Sequence, residues 1–77
     1  MVEIIVRHES AFENQYVKDI QWPEQALLVG LKRGEIQLVP KGDTKILVGD
    51  DLVILVEEKE EAQVKQTFEQ MNEVQSN

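Results

Sequence analysis

The sequence predicts an α+β domain, a small mixed or antiparallel sheet with helices packed on one face, and three observations predict it. Runs rich in Val, Ile and Leu at residues 2–6, 26–39 and 52–56 have the length and composition of strands. Residues 11–20 and 58–73 instead repeat apolar side chains at helical spacing. Two Gly-Asp turns, Gly42-Asp43 and Gly49-Asp50, punctuate the apolar runs. The expected elements are strands at about residues 2–7, 26–32, 35–39 and 51–57 and helices at about residues 11–20 and 58–73.

Val2-Glu3-Ile4-Ile5-Val6 is β-branched and partly alternating, which places Val2, Ile4 and Val6 on one face of a first strand. Ser10 and Glu13 have capping-box spacing, and Phe12, Tyr16, Val17 and Ile20 then share a helical stripe. That helix should stop before Pro23, whose ring disfavours helical geometry at Trp22 and supplies no amide donor. From Ala26 the alternation puts Leu27, Val29 and Leu31 on one face and Ala26, Leu28, Gly30 and Lys32 on the other. Gly34 stands where a tight hairpin needs positive φ, so Ile36 and Leu38 return as the partner strand. Pro40 to Val48 reads as a connection with one helical turn at Thr44 to Val48. Leu52 to Val56 is apolar on both faces, as an interior strand requires. The last helix presents Val64, Thr67, Phe68, Met71 and Val74 as one buried stripe, and residues beyond Val74 should fray.

A chain of 77 residues is one small domain, near the size at which a single core leaves little margin and dimerisation brings relief. It carries no cysteine, which removes disulfides, thiolate metal sites and a cysteine nucleophile. No apolar run approaches the roughly 18 to 20 residues needed to cross a bilayer. Fifteen acidic against eight basic residues give a formal charge of −7, so a phosphate backbone is repelled and nucleic acid is not an expected partner. The Glu57 to Glu61 run reads as a solvated helix start, where carboxylates complement the macrodipole.

His8 is the one histidine and has no cysteine or second histidine with which to form a metal site or triad. Asp43, Asp50 and Asp51 match no calcium-loop spacing and stand in or next to the Gly-Asp turns. Ser10 and Thr44 read as cap and turn residues rather than nucleophiles. The glycines at 30, 34, 42 and 49 make no phosphate-cradling loop, so no nucleotide cofactor of the Rossmann or P-loop kind is expected. The reading is therefore non-enzymatic, with no catalytic or metal residue.

The segments Leu27-Leu28-Val29-Gly30-Leu31-Lys32-Arg33-Gly34-Glu35, Pro40-Lys41-Gly42-Asp43-Thr44 and Ile46-Leu47-Val48-Gly49-Asp50-Asp51-Leu52-Val53-Ile54-Leu55 follow an ordered pattern. An apolar strand ends in Arg-x-Gly, then come a Pro-x-Gly-Asp-Thr turn and a Gly-Asp-x-Leu entry into the last strand. In order and spacing this resembles the TrkA-C domain, the C-terminal half of regulators of potassium conductance. The resemblance implies a cytoplasmic regulatory and ligand-sensing domain, a homodimer cut from a longer membrane transport protein. Its partner would be the membrane-embedded portion of a potassium-uptake, cation/proton antiport or chloride-channel type host. Some relatives bind a cyclic dinucleotide where two such domains meet, using apolar residues and an arginine. The matching ligand-binding neighbourhood here is Leu27, Lys32, Arg33 and Val39, with Lys32-Arg33 offering the anion contact. The family commonly opens its first helix with glycine, where Glu13-Asn14-Gln15 stands here; Asn14 can adopt the left-handed geometry. The alternative, from a different class, is a purely structural dimerisation module without a ligand. Leu28 and Gly30, on the face away from the helices, are the expected seam in either case.

Overall fold

A computed structural model describes residues 1–74. Its elements are β1 (Val2–Ile5), β2 (Ala26–Arg33), β3 (Ile36–Leu38), β4 (Asp51–Val56) and α1 (Glu61–Met71), the last entered through a 3₁₀ turn at Glu58–Glu60. The four strands form one sheet in the order β1-β4-β2-β3, with every neighbouring pair antiparallel. The fold is the α+β class expected, and of the mixed and antiparallel alternatives the sheet is antiparallel.

Burial alternates along β1, and along β4 apart from Val53, which is buried too. Val2 and Ile4 of β1, Leu52, Ile54 and Val56 of β4, and Leu31 of β2 face the core, where Val64 and Phe68 of α1 cover them. Phe12, Trp22 and Phe68 pack with ring centroids 5.9 to 6.1 Å apart and close this layer. Aromatic rings at such separations add to the burial of their area. Thr67 and Met71 line the margin of the helical stripe, but Val74 is half-exposed. The expected fraying beyond Val74 falls on residues 75–77, outside those described.

The first helix, expected at about residues 11–20, is not formed. In its place lie successive turns and a 3₁₀ turn at Val17–Asp19. Glu9 and Asn14 have φ of 62° and 61°, left-handed values that no α-helix contains. The backbone bonds of a helix are instead made across the chain. Asn14 N donates to Ile46 O, Ile46 N to Gln15 O, Val17 N to Thr44 O and Lys18 N to Gly42 O, and Tyr16 bridges Lys45. Helix nucleation is costly, and Asn, Tyr, Val and Ile repay it poorly, so these tertiary bonds win. The same lacing replaces the helical turn expected at Thr44 to Val48. Ser10 and Glu13 do not form a capping box either: Ser10 Oγ accepts from Phe12 N, while Glu13 Oε1 accepts from Glu9 N.

A second correction concerns the faces of β2. Leu28 pairs with Ile54, but Gly30 pairs with Val53, so Val29 is an extra, unpaired residue and the alternation slips there. Such a bulge exchanges the faces of everything beyond it. Ala26 and Leu28 therefore join Leu31 on the core side, while Leu27, Gly30 and Lys32 share the opposite face. Of the two expected seam residues, Gly30 keeps its place and Leu28 does not.

Candidate functional site

The sheet has one covered face and one open face. Across the open face the register sets Glu3 beside Val53 and Gly30, Ile5 beside Asp51, Lys32 and Gln37, and Leu55 beside Leu27. Ile5, Leu27 and Leu55 are about half or more exposed, although each belongs to an apolar run. Gly30 keeps the middle of the face low: a Cβ there would lie 3.5 Å from Val53 Cβ, in ordinary contact.

Charge is concentrated at one end of this face. Lys32 Nζ reaches across β4 to Glu3 Oε1 at 3.5 Å, both side chains being about half in water. Asp51 lies between them in the register, and its Oδ1 is buried with no hydrogen-bond donor. Its neighbour is the Glu3 carboxyl, and two ionised carboxylates cannot bond to one another. The side-chain interaction with Asp51, and then the Lys32 charge, hold Glu3 below the usual carboxylate value, whereas burial, followed by Glu3, pushes Asp51 up.

The hairpin tip is built differently from the sequence reading. Of its two loop residues, Gly34 and Glu35, only Gly34 has positive φ, at 60°, which is the pattern of a II′ turn. Adjacent strand residues point to opposite faces, so Lys32 and Arg33 part company. Lys32 lies on the open face. Arg33 turns to the other side, where Nε and Nη2 donate to the Asp50 carboxylate at 2.9 and 2.7 Å and Nη2 also donates to Lys45 O. Asp50 is almost fully buried and accepts a further bond from Leu47 N. Its hydrogen bonds raise the already high pKa of Arg33.

The four expected ligand residues are thus not one constellation within a single chain. Leu27 and Lys32 share the open face at opposite ends of β2; Arg33 is on the reverse side, and Val39 is exposed just past β3. Sequence reasoning missed Asp50 as the partner of Arg33 and Asp51 as a partner of Glu3. The signal was present: Lys32-Arg33 ending one strand and Asp50-Asp51 starting its antiparallel neighbour make two complementary pairs. His8, in the turn three residues past β1, is exposed between Glu9 and Glu13, its Nδ1 lying 3.0 Å from Glu13 Oε2. Among the described residues no group of three His, Asp or Glu side chains could hold a metal ion, and no helix is long and apolar enough to cross a membrane.

The family model described as TrkA-C domain matches residues 1–69. The chain belongs to the TrkA-C family. TrkA-C domains are regulatory domains of ion transport proteins rather than catalytic ones. The structure described as "Structure of RCK domain with cda" superimposes on this TrkA-C domain with a TM-score of 0.67 at 24% identity, over 84% of this chain and 91% of that one. That likeness shows the RCK fold. No curated protein aligns with the sequence at a significant level.

Proposed function

We propose that this domain regulates an ion transport protein by pairing with a second copy through the open face of its sheet, and that the arrangement of the pair is what the host reads. The supporting observation is that face itself: Ile5, Leu27 and Leu55 stand exposed on it around Gly30, in a chain too small to leave such surface uncovered cheaply. A two-fold axis lets one patch cover its own copy. Potassium uptake, cation/proton antiport and chloride-channel type proteins are the candidate hosts, with the domain on the cytoplasmic side of the membrane. Gly30→Arg tests the surface, because the added side chain projects from the open face while the backbone there is ordinary. Sedimentation should give a dimer for the unaltered chain and a folded monomer for the variant. A variant that still dimerises would overturn the assignment of the face.

A ligand-sensing reading is favoured by one observation, the fold shared with an RCK domain described with cda. On this reading a small anion such as a cyclic dinucleotide is held between two copies, which would have to assemble Leu27, Lys32, Arg33 and Val39 from both chains. Lys32 is the more accessible charge for it, half-exposed and paired with Glu3 only at 3.5 Å, whereas the fork of Arg33 is already occupied by Asp50. A thermal-shift panel of cyclic and linear nucleotides tests it. A rise in Tm that Lys32→Ala abolishes supports sensing, and no rise with any nucleotide leaves a purely structural dimerisation module.

A further inference from the structure

We propose that pairing through the open face takes up one proton per chain at the Glu3–Asp51 carboxyl pair, so that the dimer is tightened by acid and loosened by base. The inference rests on the pairing surface argued above and adds to it a way of being regulated.

The geometry carries it. Asp51 Oδ1 is buried and has no donor, while the diagonal neighbour on the same face, Glu3, is a second carboxylate. One cation serves both: Lys32 of β2, whose Nζ lies 3.5 Å from Glu3 Oε1. The next residue in that row, Gln37 of β3, is uncharged, and the other neighbour in the row, Ile5 of β1, is apolar. Asp50 and Arg33, the sequence neighbours of Asp51 and Lys32, satisfy one another on the opposite face of the sheet. With both carboxyls ionised the patch carries a net charge of −1.

An open face tolerates that charge because water solvates it, and both Glu3 and Lys32 are about half exposed. Covering the face with a second copy removes the water and brings two such patches into one seam. An excess anion in a seam is costly, and desolvation favours the neutral form. A proton from solvent on Asp51 leaves Glu3 paired with Lys32, gives Asp51 a hydrogen to donate to Glu3, and makes each patch neutral. The same proton returns to solvent on dissociation. Burial of Asp51 and its contact with Glu3 already push its titration upward in the single chain.

Sedimentation equilibrium of the whole chain between about pH 5 and 8 reads the coupling directly. Where Asp51 is ionised in the monomer and protonated in the dimer, two protons are bound per dimer, and Kd rises by up to about 100-fold per pH unit. Asp51→Asn, which is neutral at every pH and keeps a donor toward Glu3, should give a tight dimer whose Kd is flat over the same range. Circular dichroism at each pH establishes that the chains compared are folded. A wild-type Kd that does not move with pH, or an Asp51→Asn dimer as pH-dependent as the wild type, overturns the proton coupling while leaving the pairing surface standing. A folded monomer at every pH for both chains overturns the pairing surface and the coupling with it.

Discussion

Arg33 and Asp50 form a two-pronged ion pair, Nε and Nη2 of the guanidinium donating to the two oxygens of one carboxylate at 2.9 and 2.7 Å. It ties the end of β2 to the turn that begins β4, and a third bond from Nη2 to Lys45 O fastens the long connection to the same point. The Asp50 side chain is 2% exposed, whereas that of Arg33 is 36% exposed. Arg33→Ala would therefore leave a buried carboxylate without its counter-charge. The expected loss is about 2 to 3 kcal/mol, below the full cost of breaking a buried pair because water screens the arginine side. Arg33→Lys should recover only part of it, since an ammonium cannot reproduce the fork. Urea midpoints of the two variants measure this.

Asn72, just past the end of α1, clamps the free edge of β1. Its Nδ2 donates to Ile5 O at 2.8 Å and its Oδ1 accepts from Arg7 N at 2.9 Å. Asn72→Ala strands both backbone groups and should cost about 2 to 4 kcal/mol. Amide hydrogen exchange should locate the damage by losing protection at Arg7 before the amides of β2.

Phe68 is fully buried between Phe12 and Trp22. Phe68→Ala should destabilise by about 3 to 5 kcal/mol, enough to unfold a marginal domain, and Gln70→Ala, on the exposed side of α1, should do little. Equal urea midpoints for the two variants would contradict the packing described.

The carboxyl pair makes the stability of the single chain depend on pH in a definite sense. Asp51 is raised in the fold, so the folded state binds its proton more firmly than the unfolded chain does. Ionising it therefore erodes stability as pH rises from the unfolded value of about 3.9 through the folded one. Asp51→Asn removes that erosion: the variant should be more stable than wild type at neutral pH, and the gap should close in acid. Glu3 has the opposite sign. Its pKa is lowered by Asp51 and then Lys32, so the stability it contributes is present above the ordinary Glu value and is lost as pH falls through the folded one. Denaturation curves of Asp51→Asn, Glu3→Gln and wild type, at a concentration where all are monomeric, separate the two signs.

Strand content, the hairpin at Gly34 and the last helix were legible in the sequence because each is specified locally. Alternation marks a strand, a glycine marks positive φ, and Val64 and Phe68 repeat at helical spacing. The region at 11–20 misled for the opposite reason. Three of its four stripe residues do reach the core, Phe12 completely and Val17 and Ile20 in part, while Tyr16 stays exposed; helical spacing alone does not tell a helix from a string of turns. Asn14 carried the clue, a residue tolerant of left-handed geometry in the middle of the expected helix.

By itself the sequence determined the class of fold and the family pattern from Leu27 to Leu55, both of which reside in residue types and their order. Only the tertiary structure decided which residues share a surface. The extra residue at Val29 reverses the alternation of β2, moving Leu28 into the core and leaving Leu27 and Gly30 together on the open face. The antiparallel register of β2 with β4 then divides Lys32-Arg33 between two faces and two aspartates, Asp51 on one and Asp50 on the other. A strand has a period of two, so one inserted residue or one choice of register reassigns every side chain beyond it, and that choice is made by the neighbouring strand.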